Sequence, residues 1–225
     1  PPPGGPAAGR GMTTQLLADR LRDVESSPTL ALAAKAKALL KAGKPILDFT
    51  AGEPDFPTPQ AVKEAAIQAI QENRTKYTPA AGIPELRTAI ADQLKNQLGV
   101  SYDPTQIIVS CGAKHVLYNA LQSLCQSGDE AIVLSPYWVS YVPMVQLAGA
   151  RPVIVDTHES EGFQPDLKAV EGAITDRTKV LILNSPSNPT GMLIDRPRLI
   201  ELAQLAKARE LIVIRDEIYD QMVFP

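Results

Sequence analysis

Val180-Leu181-Ile182-Leu183-Asn184 is a short apolar run that ends on a polar side chain and passes directly into Ser185-Pro186-Ser187-Asn188-Pro189-Thr190-Gly191. The run suits a buried strand. The segment after it suits neither strand nor helix, because two prolines restrict the backbone around Asn188. Working outward, comparable β-branched runs occur at 107–110, 131–135, 152–156 and 211–215, with helical stretches between most of them. Apolar strands joined by helical crossovers imply an α/β fold, a mostly parallel sheet with helices on both faces. Such sheets bind ligands at the carboxyl ends of their strands, so the residues just after each run are the first candidates for a site.

Toward the N-terminus the pattern is helical. Leucines and alanines between 13 and 40 recur at helical spacing, interrupted at Ser26, Ser27 and Pro28, so a second helix is expected to start near Thr29. Thr58-Pro59 opens an amphipathic helix through Ala61, Ala65, Ile67 and Ile70, and a further helix from Pro84 to Leu98 meets Gly99, a residue suited to a left-handed cap. Residues 1–11 are almost all Pro, Gly and Ala and read as a disordered leader, with Met12 a candidate start. The proline-rich turn at 55–59 marks an expected boundary between an N-terminal segment, 12–59, and a larger domain, 60–225.

Composition narrows the class of ligand. The 225 residues carry 22 basic and 25 acidic side chains, a formal charge of -3, which does not suggest a nucleic-acid or anionic-membrane partner. A small molecule is the expected ligand. Cys111 and Cys125 have neither metal-ligand spacing nor the density of a disulfide-stapled domain, so a reducing cytoplasm is the expected setting and no metal is expected. No apolar run approaches the roughly 20 residues that span a bilayer.

Each strand end has a bland reading beside a functional one. Ser110-Cys111-Gly112-Ala113-Lys114 precedes a helical stretch; small residues there free backbone N–H groups for a phosphate, and equally make a tight turn at Gly112. Trp138, the single tryptophan, follows Ser135-Pro136-Tyr137 and is either core or a flat surface for an aromatic ligand. Asn188 serves its turn or a ligand. Asp216, in Asp216-Glu217-Ile218-Tyr219, ends a buried strand and must cap the next turn or meet a cationic ligand atom.

Taken together, Ala51-Gly52-Glu53-Pro54-Asp55-Phe56, Tyr77-Thr78-Pro79-Ala80-Ala81-Gly82, Pro136-Tyr137-Trp138, Asn188-Pro189-Thr190-Gly191 and Asp216-Glu217-Ile218-Tyr219 resemble, in order and approximate spacing, the class I aminotransferases of pyridoxal-phosphate fold type I. The branch most resembled is that of the bacterial aspartate and aspartate-prephenate enzymes. The resemblance implies an incomplete large domain of that fold, plus an N-terminal helical segment of the small domain. It also implies pyridoxal 5'-phosphate as cofactor and amino-group transfer from aspartate, or a related dicarboxylic amino acid, to 2-oxoglutarate.

The resemblance assigns residues as well. Asp216 would pair with the protonated pyridine nitrogen, Asn188 and Tyr219 would bond the ring oxygen, and Trp138 would stack on the ring. Gly112, Ala113 and the amide of Lys114 would hold the phosphate. Tyr77 would reach the phosphate of a neighbouring subunit's cofactor, which implies a homodimer. Gly52 would lie by the substrate's α-carboxylate, and the Lys114 side chain, assisted by Thr29, would bind its distal carboxylate. Ala113 replaces a common glycine, and Arg215 precedes the aspartate where a small residue is more usual. The Schiff-base lysine and the substrate-binding arginine of the family lie beyond Pro225, so a chain ending there is expected to be inactive alone. Two further readings compete: a non-catalytic cofactor-binding or regulatory module, and an aminotransferase for aromatic amino acids or alanine. A nicotinamide enzyme is disfavoured, because no early glycine fingerprint is present.

Overall fold

The computed structural model describes residues 18–21, 24, 28–50 and 52–223. The expected leader, the start of the first helix at Thr13 and the break at Ser26 and Ser27 lie outside them, and the only described helical piece before the break is a 3-10 turn at Asp19–Leu21. The chain forms two compact units, one from 27 to 112 and one comprising 113 onward with the residues before 27.

In the first unit, α1 (Pro28–Lys41) begins at its proline, one residue before the expected start. Helix α2 (Gln60–Gln71) starts just after Pro59, and the apolar face anticipated for it is open, with Ile67 and Ile70 more than half exposed. Helix α3 (Pro84–Leu98) ends as read, at Gly99 with φ 70°, whose N–H bonds the Lys95 carbonyl. The expected strand at 107–110 does not form. Ile107 is extended, but no ladder partner is paired along the run, and Val109 N–H instead bonds the Ala81 carbonyl in a loop. Apolar β-branched composition licenses a strand only where a neighbouring strand supplies the ladder.

That loop explains one glycine. Gly82 has φ 102°, and a Cβ built there would stand 2.8 Å from the Val109 side chain. No L-residue adopts this backbone without strain, and the packed valine cannot retreat cheaply.

The second unit holds the sheet. Strands β1 (Glu130–Ser135), β2 (Arg151–Asp156), β3 (Thr178–Asn184) and β4 (Ile212–Asp216) lie in the order β2-β1-β3-β4, all parallel. Their side chains alternate between two cores, as the pleat requires. Ala131 and Val133 of β1 and Val180 and Ile182 of β3 face α4 (Ala113–Leu124) and α5 (Tyr141–Leu147). Ile132, Leu181 and Leu183 face α6 (Leu167–Ala173) and α7 (Arg196–Ala208), anchored by Val170 and Leu202. Helices thus cover both faces, and the expected α/β fold is present. Among the described residues no helix is long and apolar enough to cross a membrane.

At the amino edge of this sheet a carboxylate is buried. Glu130, 1% exposed, accepts from Arg151 at 2.7 Å and from Thr175 Oγ1 at 2.7 Å, with Arg177 at 3.0 Å. The Arg151 hydrogen bond first, then that of Thr175, holds its carboxyl below the usual carboxylate range against the opposing effect of burial. The cluster ties the start of β1 to β2 and to the turn before β3.

Two outcomes follow for the full-length protein. Glu130→Gln should lower stability at pH 7 by about 1–2 kcal/mol, a modest loss because both arginines are more than half exposed and solvent screens them. Because the folded carboxyl titrates below its unfolded value, this stabilisation is complete above the unfolded value. It is lost as pH falls through the folded one, so urea curves of variant and parent should converge in acid. Gly82→Ala should cost about 1–3 kcal/mol in the same measurement, and an unchanged midpoint would show that the Val109 loop yields freely.

Candidate active site

The strand order creates one special place. From β1 the chain moves outward to β2, then returns across the sheet to β3 on the other side of β1, so the connections leave the carboxyl ends of β1 and β3 in opposite directions. A crevice opens at such a switch point. Here a cleft is lined by Pro136, Tyr137 and Tyr141 after β1, and by Asn184, Ser187, Asn188 and Thr190 from β3 and its proline loop.

Six residues expected at the site belong to this unit, and an unbroken series of contacts joins all of them but Ala113. Lys114, in the first turn of α4, places Nζ 4.9 Å from the centre of the Trp138 ring, within cation-π range. Trp138 meets Tyr141 edge-to-face, with ring centres 5.4 Å apart and planes at 85°. The Tyr141 hydroxyl donates to Asp216 Oδ2 at 2.6 Å. The Asp216 carbonyl accepts from Asn184 Nδ2 at 3.0 Å, and Asn184 Oδ1 in turn accepts from the Asn188 backbone N–H at 2.7 Å. Asn188 Nδ2 donates to the Tyr219 hydroxyl at 3.0 Å.

The surroundings of each residue bear on the alternatives left open by the sequence. Trp138 is half-buried, packed on the α4–α5 core without being enclosed by it. The Asn188 side chain does not close its own turn, since it reaches Tyr219 across 31 residues. Asp216 caps the next turn and also meets a side chain from a distant part of the chain. Oδ1 accepts from the Ile218 N–H at 3.2 Å, a local cap, while Oδ2 faces Tyr141. Only 7% of Asp216 is exposed, and both donors that reach its carboxylate are neutral. Arg215, whose contact was open, is turned away to pair with Glu217. Its place in β4 beside Leu183 puts it on the sheet face opposite to Asp216, by alternation.

Tyr141 raises its own proton affinity through this placement. Burial pushes its phenol well above the ordinary tyrosine range, and the Asp216 hydrogen bond and charge push it in the same direction. It therefore stays a donor. Asn184 and Tyr141 carried no site expectation from sequence. A tyrosine in a short apolar helix reads as core, and only its spacing of three residues after Trp138 hinted that the two rings would meet.

The remaining expected residues sit as follows. Ala113 opens α4 without the positive φ that would demand glycine, so replacing a common glycine there is harmless. Gly112, just before it, has φ 90°. Gly112 belongs to the 27–112 unit, as do Thr29 in the first turn of α1, Gly52 in an exposed stretch without regular structure and Tyr77, whose side chain is fully exposed.

Comparison with known proteins agrees with this arrangement. The profile of the family described as aminotransferase class I and II matches residues 44–225. An aspartate aminotransferase of Thermotoga maritima is 44% identical over 209 residues, covering 93% of this chain and 55% of that protein. An aspartate/prephenate aminotransferase of Thermus thermophilus is 47% identical over 208 residues, covering 92% and 54%. The solved structure of aspartate aminotransferase from Thermus thermophilus with maleate superposes with a TM-score of 0.90 at 46% identity, over 93% of this chain and 55% of that one. The chain spans about half the length of the curated relatives it matches. A sheet with its switch point at β1 and β3, polar groups gathered at that crevice and a family profile over most of its length agree: the chain belongs to the class I and II aminotransferases.

Proposed function

We propose that the complete protein is a pyridoxal-phosphate-dependent aminotransferase that moves the amino group of aspartate, or a related dicarboxylic amino acid, to 2-oxoglutarate. The observation that carries this is Asp216, a carboxylate 7% exposed whose hydrogen-bond donors are neutral. A buried anion without a cationic partner is costly, and a protonated ring nitrogen is the partner that would relieve it. Its surroundings fit the same group. Trp138 offers a half-buried aromatic face, and the hydrogen-bonded pair Asn188 and Tyr219 offers polar atoms at the edge of such a ring. Ala113 and Lys114 are the first two residues of a 12-residue helix, so their amides lack intrahelical acceptors and suit a phosphate, with Gly112 completing the turn.

When bound, pyridoxal phosphate supplies the electron sink that lets an amino acid lose its α-proton. The chain's part is to bind, orient and polarise. Asp216 keeps the ring nitrogen charged, Asn188 and Tyr219 fix the ring oxygen, and Trp138 excludes water from one face. Gly52 is assigned to the substrate's α-carboxylate, and Lys114 with Thr29 to its distal carboxylate. The division near residue 59 into small and large domains goes with this reading, as does a cytoplasmic location. The fully exposed Tyr77 suits a contact to the cofactor phosphate of a second subunit, and hence a homodimer.

Substrate class rests on Lys114. A flexible cationic stem beside the Trp138 ring suits dicarboxylic substrates of different length. The relatives named above are aspartate or aspartate/prephenate enzymes, and the solved Thermus thermophilus enzyme is described with maleate, itself a dicarboxylate. Neither a regulatory module nor an alanine enzyme is favoured by those names.

The test uses the full-length protein with pyridoxal phosphate. Aspartate and 2-oxoglutarate should be turned over, and Lys114→Ala should reduce kcat/KM for aspartate by roughly 10- to 100-fold while leaving alanine nearly unaffected. Equal losses for both amino donors would assign Lys114 to the cofactor or the fold and remove the dicarboxylate assignment.

A further inference from the structure

Tyr141 is 1% exposed, the most enclosed side chain in the series of contacts from Lys114 to Tyr219. Its ring is wedged in the α4–α5 core beside Met144 and Val145, so neither ring nor hydroxyl can swing without opening that core. From this fixed base it makes two contacts, edge-to-face with Trp138 and a 2.6 Å hydrogen bond to Asp216 Oδ2. Those two residues come from distant parts of the chain, the turn after β1 and the end of β4.

A carboxylate at a strand end rotates freely about its last bond unless both oxygens are held. The Ile218 amide holds Oδ1 at 3.2 Å, a long bond, whereas the phenol holds Oδ2 at 2.6 Å, the length of a strong charge-assisted one. The hydroxyl therefore sets the plane of the carboxylate. The hydroxyl also keeps its proton in doing so, since burial and the Asp216 hydrogen bond raise its proton affinity.

We infer that Tyr141 is a positioning residue of the active site, whose hydroxyl aims the Asp216 carboxylate at the cationic ring nitrogen and whose ring braces the Trp138 face. This rests on the reading of Asp216 given above. The competing reading is that Tyr141 only fills the core. In that case its hydroxyl is incidental and phenylalanine is an adequate substitute.

The experiment measures pyridoxal phosphate affinity and the visible absorption of the bound cofactor in the full-length protein. The variants are Tyr141→Phe, Asp216→Asn and the double variant. Tyr141→Phe keeps the ring and its contact with Trp138, so the protein should remain folded. Its affinity should fall about 10-fold, the scale for one charge-assisted hydrogen bond, and its absorption should shift in the same sense as that of Asp216→Asn. In the double variant the second change should add almost nothing to Asp216→Asn, because the two act through one contact. A Tyr141→Phe protein matching the parent in affinity and spectrum, beside an impaired Asp216→Asn, would overturn the positioning role alone. An Asp216→Asn protein matching the parent would overturn the reading of Asp216 itself. If Tyr141→Phe fails to fold, 3-fluorotyrosine at 141 tests the same bond with nearly the same shape and a more acidic hydroxyl. A displaced absorption would then support the role, and an unchanged one would overturn it.

Discussion

Parallel pairing of β1 with β3 on one side and β2 on the other is the constraint on which the rest of this molecule depends. It places Ala131 opposite Val180 and Ile132 opposite Leu181, so the two central strands present matched apolar rows to both helical layers. It also forces the loops after β1 and β3 apart. The crevice is what remains between them, lined by Asn184 at the end of β3 and by Asn188 in the loop after it.

The sheet buries a carboxylate at each end and treats the two differently. Glu130 at the amino edge is surrounded by Arg151, Arg177, Thr175 and Thr178, so its charge is matched within the fold. Asp216 at the carboxyl edge is given two neutral donors, while the adjacent Arg215 is turned to Glu217. Matched charge makes Glu130 a strut. Asp216 is left with neutral donors alone, and the difference lies in the partners and not in the degree of burial.

Much of the site was legible because its residues sit at strand ends, and strand ends are visible as the places where apolar runs stop. Trp138, Asn188 and Asp216 were singled out in this way, and Tyr219 by the family resemblance. The same logic overreached at 107–110, where an equally apolar run has no neighbour to pair with and stays a loop tied to Ala81. Tyr141 and Asn184 escaped notice for the opposite reason. Neither stands out in composition, and each gains its role from a partner far along the chain, 75 residues away for Tyr141 and 32 for Asn184.

What the sequence determined by itself is local or periodic: the helix from Pro84 to Leu98 with its glycine cap, the alternation of strands and helices, and the proline-locked loop around Asn188. These follow from backbone restriction and side-chain spacing, which neighbouring residues impose on one another. Only the tertiary structure decided the strand order β2-β1-β3-β4, the single series of contacts from Lys114 to Tyr219, and which buried carboxylate would be neutralised. Those depend on long-range packing, where the free energy of burying an apolar face or satisfying a polar atom is fixed by groups brought together from remote positions.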